Sequence, residues 1–230
     1  MNSEDKELRA MFDGLRTPGD LPDAERVERI QRRIASSLKP VKPLPSDRAL
    51  LLIGLGCFAA LALLPTIHFG DSALHVLSGV QEFAYYGVIA LLAILFAAAI
   101  VEQMIPGSKR RLNARMLVIG SFFSLALLAC LLFENFSMDH FVAHGWPCLR
   151  LGSECALVSG LIAFLLVRKG FFTAPVASSM LIGCFAGLSG VAALALICPV
   201  RNAPHILVWH LGTMILGALG GGVVGVLRKL

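Results

Sequence analysis

The chain has 230 residues, of which 57% are apolar, with 20 Lys and Arg against 15 Asp and Glu and a formal charge of +5. A mean hydropathy of +0.77 is too high for a water-soluble domain of this size, and continuous apolar runs without period-two alternation exclude a closed β-barrel. The sequence pI near 9.1 does not point to nucleic acid, because the basic residues fall where a membrane protein needs them for orientation.

Residues 1–48 form a charged head that holds ten of the basic and nine of the acidic residues. Leu8, Met11, Phe12 and Leu15 recur at helical spacing and predict a short amphipathic helix over 3–15. Thr17-Pro18-Gly19-Asp20 breaks it. Pro22 suits a first helical turn, and Asp20, Asp23 and Glu25 favour the positive end of a second helix. On that helix Val27, Ile30, Ile34 and Leu38 make a narrow apolar stripe, before Pro40, Pro43 and Pro45 stiffen a tether. Two helices this short cannot bury a core of their own. The head is therefore expected to fold against a partner, as helices do in apolar grooves. A lipid surface is the alternative, weakened by the acidic residues.

About 20 apolar residues cross the hydrocarbon core as a helix. Runs of that kind lie near 49–67, 83–104, 114–133, 151–167, 175–198 and 205–227. The expected fold is an all-α polytopic membrane protein, a six-helix transmembrane bundle over 49–230 behind a short helical head. Alternate loops, with the termini, hold 18 and two basic residues. Six spans with both termini cytoplasmic satisfy the positive-inside rule. With these limits no charged residue falls in the middle third of a span, which argues against ion-coupled transport. Gly183 and Gly187 in span five, and Gly217, Gly221 and Gly225 in span six, are spaced for close helix packing.

In this orientation all six histidines (His68, His75, His140, His144, His205 and His210) lie in or beside external loops. Cys148 and Cys198 join them, with Cys130 and Cys155 near the external ends of their spans, while Cys57 and Cys184 lie mid-membrane. Four cysteines allow three disulfide pairings, and no Cys-x-x-Cys occurs. Zinc needs three or four converging ligands, and spacing does not establish convergence: on an α-helix His205 and His210 would point about 140° apart. Each histidine alone reads as an interfacial hydrogen-bonding group. Cys148 and Cys198 divide between a structural role and a reactive one, since exposed thiols are oxidised or bind soft metal ions. No nucleophile elbow, phosphate loop or metalloprotease motif is present. A non-enzymatic function without a cofactor is expected, a membrane thiol–disulfide oxidoreductase or a small-molecule carrier being the alternatives.

The second half resembles a known family. Gly145-Trp146-Pro147-Cys148-Leu149 opens span four and Arg168-Lys169-Gly170 closes it. Then come Ala186-Gly187-Leu188-Ser189-Gly190, Cys198-Pro199, and Ala203-Pro204-His205-Ile206-Leu207-Val208-Trp209-His210 before a glycine-rich last span. These elements, in this order, are similar to the NrsF-like proteins, six-span inner-membrane negative regulators of sigma factors. The resemblance implies an anti-sigma factor whose cytoplasmic head holds an extracytoplasmic-function sigma factor, without direct contact to nucleic acid. It also implies that Cys148 and Cys198 match two cysteines linked in the family to heavy-metal or oxidative stress. Leu8, Met11, Phe12, Leu15, Val27, Ile30, Ile34 and Leu38 are then the candidate sigma-binding residues, and Cys148, Cys198, Cys155, His205 and His210 the candidate signal-sensing ones.

Overall fold

The computed structural model of the protein describes residues 24–37, 45–70, 78–104, 112–133, 135–167 and 174–227. The expectations for Leu8, Met11, Phe12, Leu15, Leu38 and His75 lie outside them. Among the described residues there is no β-strand. The chain divides into two units, Met1–Leu44 and Pro45–Leu230.

In the first unit, α1 spans Ala24–Ser37. Val27 is half-buried, and Ile30 and Ile34 on the same stripe are exposed. Arg32 and Glu28 pair at 2.8 Å one turn apart, with both side chains mostly in solvent. Such a pair adds only a few tenths of a kcal/mol, roughly, to a helix.

The second unit is a bundle of six helices, each long and apolar enough to cross a membrane. They are α2 Asp47–Phe69, α3 Gly79–Met104, α4 Ala114–Leu132, α5 Phe141–Val167, α6 Pro175–Ile197 and α7 Ala203–Leu227. Their starts follow local chemistry. The Ser46 hydroxyl accepts from the Ala49 amide, Asn113 caps α4, and Pro175 opens α6 at a position where its missing N–H costs nothing. Large apolar side chains such as Phe123, Leu131, Leu161 and Leu219 face outward, as they do where lipid replaces water.

The core is organised around α6, in which nearly every residue from Leu181 to Ala195 is buried. Its tightest neighbour is α7, and glycine is the reason. A methyl group at Gly183 would overlap the Gly217 carbonyl, one at Gly217 the Gly183 carbonyl, and one at Gly221 the Ser179 carbonyl. On the α5 side, Gly190 meets the Gly152 backbone in the same way. Backbones this close maximise the dispersion contacts that hold helices together in lipid. Polar bonds fasten α3 at both ends: Tyr86 donates to the Ala195 carbonyl at 3.0 Å, and Ser178 donates to the buried Gln103 carboxamide.

The fourth span differs from its expected limits. It starts ten residues earlier than 151, at Phe141, and continues through Pro147. At 27 residues it measures about 40 Å, longer than a hydrocarbon core of about 30 Å. Arg150 and Glu154 therefore stand in the middle third of this helix, correcting the expectation that no span carries charge there. They neutralise one another, pairing at 3.0 Å across one turn on an exposed face.

Candidate functional site

At the end of the bundle carrying residues 135–140 and 198–202, four elements meet. Cys148 comes from α5, one residue after Pro147. Cys198 is the residue after α6, its amide bonded to the Leu194 carbonyl at 2.9 Å. The connection to α7 is short and tied down. The Ala203 amide donates to the Asn135 carbonyl at 3.0 Å, and the Asn202 side chain accepts from the His205 amide at 3.0 Å. Arg201 donates to the Ala195 carbonyl at 2.8 Å and lies 5.9 Å above the Phe133 ring. These bonds hold the loop across the end of α6.

The decisive local feature is in α7. After one α-turn the backbone widens into a π-turn over Ile206–His210, in which the Leu211 amide reaches the Ile206 carbonyl five residues back. The extra residue per turn removes most of the 140° that an α-helix would place between His205 and His210. Their rings meet instead at 5.2 Å and 75°, which corrects the expectation that they diverge. Thr213 steadies the turn by donating to the His210 and Gly187 carbonyls at 2.7 and 3.2 Å. The Trp209 indole seats on Gly145, where a methyl group would overlap the ring, and stacks 5.3 Å from Phe141.

Cys148, Cys198, His205 and His210 thus converge, each offering one ligand atom, all within 4.8 Å of one another. The two sulfurs are 3.5 Å apart, and Cys198 Sγ is 3.4 Å from His205 Nε2. Cys148 is half-buried and the other three are buried. Neither ring nitrogen of His210 makes a well-aligned hydrogen bond, although the Cys198 sulfur lies within 4.8 Å of its ligand atom. Cys155 is half-buried and does not belong to the converging set. His140 and His144 pair their rings at 5.5 Å elsewhere on this end.

A half-buried and a buried thiol beside a pair of buried imidazoles have two chemistries open to them, sulfur oxidation and metal ligation. Residues 34–228 match the family model described as negative regulator of sigma F, NrsF. The chain belongs to the NrsF family. No curated protein and no solved structure matches it. The match takes in the last turn of α1, all six spans of this NrsF protein and the four converging residues. It makes the protein a membrane helical regulator acting negatively on a sigma factor.

Gly145→Val is expected to push Trp209 and the π-turn off α5 and so part Cys148 from Cys198. Mild oxidation of the purified protein should then link these two cysteines at least about tenfold more slowly, on the scale of about 1.4 kcal/mol per factor of ten, read by gel shift after maleimide capping. An unchanged rate would mean that the indole seat does not position the thiols.

Proposed function

We propose that the protein is a membrane-embedded anti-sigma factor for an extracytoplasmic-function sigma factor. Its head, residues 1–48, lies in the cytoplasm with the C-terminus and grips the sigma factor through Leu8, Met11, Phe12, Leu15, Val27, Ile30, Ile34 and Leu38. An envelope signal, a metal ion or an oxidant, acts at Cys148, Cys198, His205 and His210 on the opposite side of the inner membrane and releases it. The family match over 34–228 carries the reading. The distribution of Lys and Arg between alternate loops supports the orientation.

The π-turn supplies a candidate for the moving part. Such turns interconvert with α-helix by shifting one residue in register, a rotation of about 100° and a rise of about 1.5 Å. Below the turn the glycine seam fixes α7 against α6. A change in register would therefore be absorbed above it, in Ala203–His205 and the 198–202 loop, where Cys198 and His205 sit.

Affinity purification in mild detergent tests the assignment, comparing full-length protein with a form lacking residues 1–46. A sigma factor is expected with the full-length protein only, both forms remaining in the membrane fraction. Sigma capture by the truncated form would move the binding site out of the head. Capture by neither would remove the anti-sigma reading and favour a thiol oxidoreductase or carrier.

A further inference from the structure

The four converging residues have the geometry, charge and burial of a metal site rather than of a thiol pair with two bystanders. Zinc bonds to thiolate at about 2.3 Å and to imidazole at about 2.0–2.1 Å, so a tetrahedral site has sulfur–sulfur edges of about 3.8 Å, sulfur–nitrogen edges of about 3.5 Å and a nitrogen–nitrogen edge of about 3.3 Å. The corresponding separations are 3.5 Å between the sulfurs and 3.4 Å from Cys198 Sγ to His205 Nε2. No pair of ligand atoms exceeds 4.8 Å, so closing the site asks for movements of about 1 Å or less on each side chain. His210 is the independent witness. A fully buried imidazole with neither nitrogen in a well-aligned hydrogen bond costs roughly 1–3 kcal/mol per unsatisfied group, and ligation through one nitrogen removes that group's share.

We infer that Cys148, Cys198, His205 and His210 form a four-coordinate site for a divalent cation of the zinc and cadmium class, with both histidines as direct ligands. This deepens the signal-sensing part of the reading above and rests on it only for its biological role. The charge balance selects the class. Two thiolates and two neutral imidazoles around a doubly charged ion sum to zero, the arrangement least costly to bury. A singly charged soft ion would leave one negative charge buried, and hard ions such as magnesium or calcium require oxygen ligands. Binding breaks two S–H bonds, forms two metal–sulfur and two metal–nitrogen bonds, and sends two protons to solvent, with no change in oxidation state. Half-buried Cys148 provides the side from which an ion enters.

The π-turn gains a purpose in this site. Without it His205 and His210 cannot both face Cys198, so the local backbone departure is what makes the ligand set complete. Cys155, on the same helix as Cys148 but outside the set, serves as the internal control.

The test uses reduced, full-length protein in detergent or lipid nanodiscs, titrated with Co2+ as a spectroscopic probe and back-titrated with Zn2+ and Cd2+. One equivalent of Co2+ is expected to give thiolate-to-metal charge transfer together with intense visible bands of tetrahedral coordination, both bleached by Zn2+ or Cd2+. X-ray absorption on the unmutated zinc-loaded protein should give two sulfurs at about 2.3 Å and two nitrogens at about 2.0–2.1 Å. Cys155→Ser should leave these unchanged. His205→Ala and His210→Ala should each weaken binding by more than the about 10–100-fold that loss of an outer-shell contact costs. Absence of charge transfer, a coordination shell lacking nitrogen, or histidine variants that bind unchanged would each overturn the proposal. Sigma capture is scored separately. A protein that loads metal but captures no sigma factor keeps the site and loses the anti-sigma reading, and one that captures sigma factor but loads no metal does the reverse.

Discussion

Gly183→Leu is expected to prevent the bundle from closing. The added Cβ alone would overlap the Gly217 carbonyl oxygen and crowd the Gly221 Cα at 3.2 Å, so the new side chain has no rotamer that leaves α6 and α7 in place. Overpacking costs about 1–3 kcal/mol where neighbouring side chains can give way. Here the obstacle is main chain, and the cost should exceed that range. Two readouts follow. Helical signal in detergent should be lost at a markedly lower temperature, and Cys184, which is buried and adjacent to the substitution, should become reactive to maleimide. Gly120→Leu on exposed α4, where nothing lies within 4 Å of the added carbon, should do neither. A Gly183→Leu protein as stable as Gly120→Leu, with Cys184 still protected, would show that α6 and α7 do not meet through this seam.

The same seam illustrates how far the sequence could be read. Gly183, Gly187, Gly217, Gly221 and Gly225 announce close helix approach by spacing alone, because a small residue every fourth position is what backbone contact requires. Six helices were equally legible, since apolar length against bilayer thickness leaves little choice. The start of α5 was not. Arg150 looks like a loop residue by the charge rule, and Pro147 looks like a helix boundary. In the folded chain Glu154 neutralises Arg150 one turn away, and Phe141 and Gly145 dock on Trp209, so tertiary contact carries the helix through both signals.

At the site, residue chemistry and membrane sidedness point to Cys148, Cys198, His205 and His210, and the family resemblance is what singles out the two cysteines for sensing. Their convergence does not follow from these, because it depends on a π-turn that α-helical arithmetic excludes. One signal was nevertheless present. A spacing of five between two ligand-type residues, His205 and His210, is the spacing of the i to i+5 hydrogen bond, and two like groups at that distance are a reason to consider the wider turn. Cys155 shares the external face by depth, and it stands apart because convergence depends on side-chain direction as well as on depth.

Cys148→Ser combined with Cys198→Ser should uncouple the protein from its stimulus while leaving it folded. Serine nearly preserves the volume of each thiol, and the alcohol at 198 retains neighbours to which it can donate, since the thiol it replaces lies within 3.9 Å of the Val200 carbonyl and beside His205. A stability change of about 1 kcal/mol is the scale for one rearranged hydrogen bond, too little to unfold the bundle. Sigma capture at rest should therefore persist, whereas a sigma-dependent reporter should no longer rise with cadmium or with a thiol oxidant. The histidines then separate the two stimuli. His210→Ala removes a metal ligand and leaves both sulfurs in place 3.5 Å apart. It should abolish the cadmium response and preserve the response to oxidant, because joining two thiols into a disulfide needs no imidazole as a ligand. Loss of both responses in His210→Ala would place the histidine in the thiol chemistry itself, and retention of both would remove it from sensing. A double-serine protein that still answers either stimulus would move the sensing function away from this end of the bundle altogether.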